Sequence, residues 1–184
     1  AEVPTLLPVN RDPHQIMTGV RLVEWKGVDG IIRAIALLKE KFPDILFVIA
    51  GDGPERKKLE ELTRSFAVEK NVQFRGRVSH GEILELQAHS TVQVLNSHYE
   101  GMPFGALESF ATKTPIVATN ISGTNEAVFD QKTGLLVPVG DDKALAGAIE
   151  RLLTDQKLRE RVVEGGARIL KEKFSWEAHM QRLH

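Results

Sequence analysis

The sequence contains no cysteine, and this absence removes several kinds of chemistry at once. Without thiols the chain has no disulfides, no thiolate zinc site and no cysteine nucleophile. No apolar run approaches the roughly 20 residues that a membrane-spanning helix needs, and the first residues lack the basic and then apolar plan of a signal peptide. These features predict a soluble, cytoplasmic chain without membrane contact.

Neither sign of charge dominates the chain. The 24 lysines and arginines nearly balance the 25 aspartates and glutamates, which leaves a net charge of -1. A chain without a basic field is not expected to bind nucleic acid broadly, so any important cation must be placed individually. With 184 residues, of which 42% are hydrophobic, the composition is that of one ordinary globular domain.

Several familiar site patterns are also missing. No G-x-G-x-x-G follows the first predicted strand and no G-x-x-x-x-G-K-[ST] occurs, which argues against an NAD site and against a P-loop nucleotide site. The residues His80, His89 and His98 lack metal-ligand spacing, and we assign them solvent or capping roles. Ser109 is not in a nucleophile elbow, which argues against a serine hydrolase. We therefore expect no metal and no cofactor.

The chain is predicted to contain an extended lead-in or linker over residues 1 to 14, with Pro4, Pro8 and Pro13, followed by one domain over residues 15 to 184. Within the domain, short apolar runs alternate with longer amphipathic ones. The predicted strands cover residues 16–22, 45–50, 72–74, 92–95, 116–118 and 135–137. The predicted helices cover residues 27–41, 54–68 and 79–88, the stretch after Glu100, and a charged tail from Asp141.

Strands separated by helices indicate right-handed crossovers and a mostly parallel sheet with helices on both faces. The predicted fold class is therefore α/β, a doubly wound Rossmann-like domain, and the helical tail is expected to pack across one edge of the sheet. Ligands in such folds bind beyond the carboxyl ends of the strands. The loops at Arg21, Gly51, Arg77, Glu100 and Asn120 should gather there.

The stretch from Glu100 to Glu108 is the most informative one in the chain. Gly101, Pro103 and Gly105 mark the entry into a helix, whose first N–H groups lack partners within the helix and suit a phosphate. With a glutamate at each end, the layout fits a nucleotide sugar, which carries hydroxyls on both sides of a diphosphate. The alternative is a capped amphipathic helix with two solvated glutamates.

Two cations are candidates to neutralise that diphosphate. Arg21 is predicted to end the first strand and Lys26 to lie in the loop that follows it. Fixed cations and helix amides stabilise a leaving nucleoside diphosphate more as its bond to the sugar breaks than before. Two solvated loop cations are the alternative.

Three further loops are weaker candidates. Gly51 to Pro54 is a strand-to-helix turn in which Asp52 can cap, and we expect it to be structural. The open backbone near Arg77 and Val78 could bind the base of a nucleotide, although an ordinary loop without a ligand is the favoured interpretation. The stretch from Asn120 to Glu126 is expected to open a short helix, either as a sugar contact or as a simple capped turn.

In the loop after Val78, Ser79 and Glu82 have the spacing of a capping box, which predicts a helix start at that point.

Taken together and in order, five motifs resemble the carboxyl-terminal half of the family 4 retaining glycosyltransferases, which have the GT-B fold. The resemblance runs from about Gln15 to Trp176. The motifs cover residues 21–27, 51–55, 74–78, 99–108 and 133–137.

The resemblance implies a role for each matching residue. Arg21 and Lys26 would hold the donor diphosphate, and with Glu100, which would sit near the transferred sugar, they form the expected catalytic set. Glu108 would bind ribose hydroxyls. Amides would be presented to the diphosphate and sugar by Gly101, Met102, Pro103 and Phe104, and the base would meet backbone near Arg77 and Val78. Catalysis in such enzymes usually needs no metal.

The sequence departs from the family pattern at three places. Gly19 and Val20 reverse the usual order before the arginine, Asn96 stands where proline is common, and Lys113 with Thr114 replaces a small residue and glycine. Because the charged residues are intact, these changes bear on affinity and donor choice more than on class.

Length is the largest departure, because a GT-B enzyme has a second, amino-terminal domain that binds most of the acceptor. We expect a donor-binding domain for a UDP-, GDP- or ADP-sugar, weak or inactive alone, whose last residues, 174 to 184, lead back to the absent domain. The full-length enzyme would transfer a hexosyl group to a glycan, lipid or small-molecule acceptor. A sugar-nucleotide epimerase of the same architecture and a noncatalytic interaction domain are the alternatives.

Overall fold

The computed structural model describes residues 10–102 and 104–173, and it confirms the doubly wound α/β fold. Within these residues, six strands alternate with helices. The strands are β1 (Asp12–Gly19), β2 (Leu46–Ala50), β3 (Val72–Gly76), β4 (Ser90–Leu95), β5 (Ile116–Thr119) and β6 (Leu135–Val137). The helices are α1 (Val28–Leu38), α2 (Arg56–Ser65), α3 (His80–His89), α4 (Phe104–Ala111), α5 (Asp142–Thr154) and α6 (Gln156–Lys173). Two 3-10 turns, Glu24–Lys26 and Thr124–Glu126, lie beyond the carboxyl ends of β1 and β5.

The strands form one sheet in the order β3-β2-β1-β4-β5-β6, and every pairing between them is parallel. The chain builds outward from β1 to β3 and then returns to the other side of β1 with β4. This reversal creates a crevice between the loops after β1 and β4, because their crossovers leave toward opposite faces. The loops that carry Lys26 and Glu100 flank the crevice.

Helices cover both faces of the sheet and bury two layers of core. On one face α1, α2 and α5 pack on residues such as Ile16, Phe47 and Val94. On the other face α3 covers Met17 and Val48, and α4 covers the neighbouring strands β4 and β5. Strands buried on both sides explain the nearly continuous apolar runs in the sequence.

Of the two helices in the tail, α5 lies in one helical layer, and α6 extends from that layer to the other. Helix α5 lies beside α1, whereas α6 begins in the same layer with Leu158 and ends on the opposite face with Leu170. Between these two points α6 passes the amino ends of β4 and β5. The prediction that the helical tail packs across one edge of the sheet therefore holds for α6 and not for α5. Residues 174–184, which were expected to lead toward another domain, lie outside the described residues. None of the helices within the described ranges is long and apolar enough to cross a membrane.

The first strand differs from its prediction at both ends. It begins at Asp12, which pairs with Ser90 of β4, so residues 12–14 belong to the sheet and not to a lead-in. Pro13 lacks an N–H group, and the register with β4 shifts between Asp12 and Ile16, which is why alternating periodicity is weak there. At its other end β1 stops at Gly19.

Candidate functional site

The loops after β1 and β2 are fastened together at the carboxyl edge of the sheet. The Val20 amide donates to the carbonyl of Ala50, the last residue of β2, and the Leu22 amide donates to that of Asp52 in the loop after β2, both at 3.0 Å. A Cβ on Gly51, which has φ +145°, would lie 1.9 Å from the Val20 carbonyl oxygen, so only glycine permits this approach. Arg21 therefore sits two residues beyond the end of β1, in a loop held by its neighbour, and not at the strand end as predicted.

The predicted capping role of Asp52 is wrong. Its carboxylate accepts a 2.8 Å hydrogen bond from the Gly53 amide and tightens the turn. Helix α2 instead begins after Glu55, whose side chain forms no capping bond. The interpretation of this turn as structural agrees with these contacts.

Lys26 and Glu100 meet across the crevice. The Nζ atom of Lys26 donates to Oε1 of Glu100 at 2.5 Å, and the Ser97 hydroxyl donates to the same oxygen at 2.6 Å. Both charged side chains are largely covered, with 20% of Lys26 and 14% of Glu100 exposed. Partial burial strengthens such a pair relative to one on the open surface. The predicted cation and sugar-side carboxylate therefore form one charged unit.

Asn96 joins the two loops that carry this pair. Its buried amide donates at 2.8 Å to the carbonyl of Gly27, the residue after Lys26. The His98 amide donates to the Trp25 carbonyl in the same two loops, also at 2.8 Å. The departure at Asn96 thus supplies a hydrogen bond that proline has no side-chain donor to make.

The loop after β5 packs against the loop that carries Glu100. The Thr119 hydroxyl donates to the Ser97 carbonyl at 2.5 Å. A Cβ on Gly123, whose φ is +88°, would lie 2.5 Å from the carbonyl oxygen of Glu100. The stretch from Asn120 to Glu126 therefore contains the expected short helical turn, and its backbone packs under the glutamate loop.

A second group of predicted residues borders an open cavity of about 400 Å³. Arg21, Arg77 and Val78 line it together with Gly51 and Asp52. Both arginines are exposed, and their side chains have no polar partner within the described part of the chain. Neither the amide nor the carbonyl of Val78 is hydrogen-bonded there. These groups are free to meet an anion and a base.

The start of α4 faces the same edge. Gly101, Met102 and Phe104 are exposed, and Pro103 lies outside the described residues. Gly105 packs on the underlying strand, where a Cβ would come within 3.3 Å of Leu95. The helix thus rests closely on β4, while the residues at its beginning are exposed, as an anion site at a helix start requires.

Glu108 lies one turn further along α4, on the side of α3. Its Oε1 atom is 2.7 Å from Nε2 of His80, the first residue of α3. The side chain of Glu108 is 28% exposed and that of His80 69% exposed. The capping box predicted at Ser79 and Glu82 is confirmed, and it fixes the beginning of α3 beside this contact.

Three polar groupings therefore line one edge of the sheet: Lys26 with Glu100, Arg21 with Arg77 and Val78, and Glu108 with His80. The described ranges contain no group of three or more histidines, aspartates or glutamates that could hold a metal ion. Positive, hydrogen-bonding and acidic groups along one open edge suit a ligand with a diphosphate and sugar hydroxyls.

Three residues that support the site lie outside the predicted set, namely Ser97, Asn96 and His80. The position of Ser97 three residues before Glu100, in a tight loop, was a usable indication of a side-chain contact. His80 was assigned a solvent or capping role, which leaves out its contact with a glutamate 28 residues away. That contact depends on how α3 and α4 pack, and no local pattern encodes it.

A doubly wound domain with an anion-suited carboxyl edge is a nucleotide-binding type of architecture. The family model described as "Glycosyl transferases group 1" matches residues 7–168. The alpha-D-kanosaminyltransferase of Streptomyces kanamyceticus is 37% identical over 158 residues, which cover 86% of this chain and 41% of that protein.

Two solved structures have the same fold. The S. aureus TarM mutant, crystallised in complex with fondaparinux, alpha-GlcNAc-glycerol and UDP, superposes with a TM-score of 0.89 at 22% identity, covering 100% of this chain and 37% of TarM. The C-terminal domain of a glycosyl transferase group 1 family protein (LpcC) from Francisella tularensis superposes at 0.81 with 26% identity, covering 91% of this chain and 89% of that one.

The chain belongs to the group 1 glycosyl transferase family, because the family model covers most of its length. It spans less than half the length of the curated relatives, 41% and 40% for the first two.

Proposed function

We propose that this chain is the donor-binding domain of a family 4 retaining glycosyltransferase with the GT-B fold. The full-length enzyme would transfer a sugar from a nucleotide-diphosphate sugar to a glycan, lipid or small-molecule acceptor. The observation that carries the proposal is the partly buried contact of Lys26 with Glu100, beside the open start of α4 at the switch point of the sheet.

Each group has a task in donor binding. Lys26 and Arg21 would neutralise the diphosphate, with the N–H groups of Gly101 and Met102 at its other side. Glu100 would face the transferred sugar, and Glu108 would accept hydrogen bonds from the ribose hydroxyls. The backbone of Val78, which has no other partner in the described ranges, would meet the base.

These groups also suit the chemistry of transfer. As the glycosidic bond to the donor breaks, negative charge grows on the departing nucleoside diphosphate. Lysine, arginine and helix amides aimed at that charge stabilise the transition state more than the bound donor. The protein groups on this edge thus supply positive charge and hydrogen-bond donors for the leaving group.

The acceptor would be bound by a separate amino-terminal domain, and we propose that this chain alone is weak or inactive in transfer. Two observations support this. The chain spans less than half of its curated relatives, and large apolar side chains are exposed around the crevice. Large exposed apolar side chains on the loops of one sheet edge suit an interaction surface. They are Trp25, Tyr99, Met102 and Phe104.

Calorimetric titration with UDP-, GDP- and ADP-sugars and with the free nucleoside diphosphates tests the proposal. We expect one base to bind. Glu108→Ala should weaken the nucleoside diphosphate about tenfold, since hydrogen bonds to a charged group are lost. Glu100→Ala should weaken the sugar-bearing donor selectively. A folded chain that binds none of these ligands would refute the proposal, and equal losses for both ligands in both variants would refute the assigned roles.

A further inference from the structure

We propose that His80 is a positioning residue that holds the Glu108 carboxylate ready for the ribose hydroxyls of a nucleoside diphosphate. This inference rests on the proposed function and extends it to a residue outside the expected site. The sequence pattern predicts a solvent or capping role for His80, yet its imidazole contacts Glu108, the glutamate proposed to bind the ribose.

The direction of the hydrogen bond follows from its partners. An ionised carboxylate can only accept, so the N–H at Nε2 of His80 is the donor over the 2.7 Å to Oε1 of Glu108. A carboxylate offers about four lone-pair sites. One is used by His80, and Oε2 has no partner within the described ranges. The bond therefore orients the carboxylate and leaves acceptor capacity for a pair of hydroxyls.

The imidazole is itself held in place by the start of α3. The Ser79 hydroxyl accepts from the Glu82 amide, and the Glu82 carboxylate accepts from the Ser79 amide at 2.8 Å. His80 follows Ser79 directly, so its backbone is fixed by both bonds. A glutamate side chain loses rotamer freedom when it binds a ligand, and a carboxylate already held by His80 loses less.

His80 also links two parts of the proposed nucleoside site. Val78, whose free backbone groups would meet the base, lies two residues before it. Glu108, which would meet the ribose, is its direct partner. Base and ribose are neighbouring parts of one nucleoside, so the residue between their two contacts is well placed to set how tightly the ribose is held.

The test is a calorimetric comparison of variants in the 184-residue chain, using whichever of UDP, GDP and ADP binds the unmodified protein. We expect His80→Ala to weaken that nucleoside diphosphate about threefold to tenfold. His80→Gln, whose amide N–H can take the place of Nε2–H, should restore most of the affinity. His80→Asn, whose shorter amide does not reach, should not.

Two comparisons isolate the ribose. The corresponding 2′,3′-dideoxynucleoside diphosphate lacks both hydroxyls, so its affinity should not change on His80→Ala. In a Glu108→Ala background the same substitution should have no further effect. His89→Ala is the matched control, because it removes a histidine from the far end of the same helix, where Nδ1 lies 2.8 Å from the Glu85 carbonyl.

The outcomes separate the two proposals. Binding that His80→Ala leaves unchanged, or that falls equally for the dideoxy ligand, overturns the role of His80 and leaves the proposed function standing. Failure of His80→Gln to restore affinity also overturns it. An unmodified, folded chain that binds none of the three nucleoside diphosphates overturns the proposed function and this inference together.

Discussion

At the scale of the residue, Glu100 is held by two donors before any ligand arrives. Lys26 and Ser97 both donate to its Oε1 atom, and the ion pair is mostly covered. A diphosphate that binds Lys26 must either share this lysine with the Glu100 carboxylate or displace the carboxylate from it. Glu100 therefore sets the arrangement of the cation as well as contributing its own charge, and the two residues should behave as one energetic unit.

This coupling predicts a stability effect that needs no ligand. Lys26→Met should lower the free energy of unfolding by about 2 kcal/mol, because it leaves a largely covered carboxylate with only the Ser97 hydroxyl as donor. Adding Glu100→Gln should return part of the loss, with a coupling of about 1 kcal/mol in a double-mutant cycle. Urea unfolding of the four proteins measures it.

A second lysine supplies the control. Lys41 pairs with Glu150 at the same N–O distance of 2.5 Å, but 59% of its side chain is exposed. Lys41→Met should therefore cost about 0.5 kcal/mol or less. Equal losses from the two lysine substitutions would show that burial does not strengthen the Lys26 pair.

At the scale of the element, the start of α3 is a capped terminus that carries a site residue. The Ser79 amide and hydroxyl donate to the Glu82 carboxylate and lower its pKa. Since the folded pKa lies below the ordinary value, the carboxylate contributes stability that is present above about pH 4.3, the ordinary glutamate pKa. That contribution is lost as the pH falls through the lowered folded pKa.

The cap gives a prediction with a defined pH direction. Wild type should be more stable than Glu82→Gln at pH 7, and the difference should persist to about pH 5 and then shrink as the pH falls below 4. Urea midpoints at pH 7, 5, 4 and 3 measure it. Ser79→Ala should reduce the same advantage at pH 7, since it removes a donor. A difference that grows toward low pH would contradict the assignment.

Gly27 gives an element-scale prediction about the two crevice loops. Its φ of +60° and the 2.1 Å that would separate a Cβ from the Asn96 carbonyl oxygen leave no room for a side chain. Gly27→Ala should cost about 2 kcal/mol or more in urea unfolding, from the left-handed backbone and the clash together. It should also weaken nucleoside diphosphate binding, because Lys26 moves with the loop.

Gly147 is the matched control for this substitution. It lies on the exposed side of α5, and a methyl group added at its Cα would have no neighbour within 4 Å. Gly147→Ala should therefore raise stability by roughly 0.5–1 kcal/mol through helix propensity. A neutral Gly27→Ala would mean that the two loops are not locked together at this point.

The elements themselves could be predicted from sequence because each is a separate run with its own apolar period. The strand β6 matches its predicted bounds, and the capping box of α3 marks a real helix start. Boundaries at loops were less predictable. The backbone after Gly19 is bonded to Ala50 at the end of β2 and to Asp52 beyond it, so the apolar Val20 and Leu22 resemble strand residues without being part of β1.

The contacts within the site likewise differ in whether the sequence predicts them. Motifs at Lys26, Glu100 and Glu108 point to an anionic, hydroxyl-bearing ligand because each carries its chemistry locally. The hydrogen bond between His80 and Glu108 could not be predicted from a local motif. It joins two helices, α3 and α4, whose relative position depends on how they pack on the sheet. The local motifs therefore predict the edge and its charged groups but not the side chains that orient them.

At the scale of the whole molecule, the two edges of the sheet are built differently. At the amino edge, the Arg11 guanidinium donates to the Ser90, Thr112 and Lys113 carbonyls at 2.9 to 3.0 Å. Helix α6 passes the same edge and ties both helical layers together. The carboxyl edge consists of loops with exposed cations and an open helix start. A ligand should therefore change the carboxyl edge and leave the amino edge as it is.

Hydrogen exchange measures this division directly. A saturating nucleoside diphosphate should slow exchange in peptides over residues 20–27, 76–82 and 96–108, because binding suppresses local opening of those loops. Peptides over residues 10–14 and 111–116, at the amino edge, should exchange as before. Glu108→Ala, at the same ligand concentration, should lose protection at the carboxyl edge in proportion to its weaker binding. Protection that is larger at the amino edge than at the carboxyl edge would show that the ligand binds elsewhere.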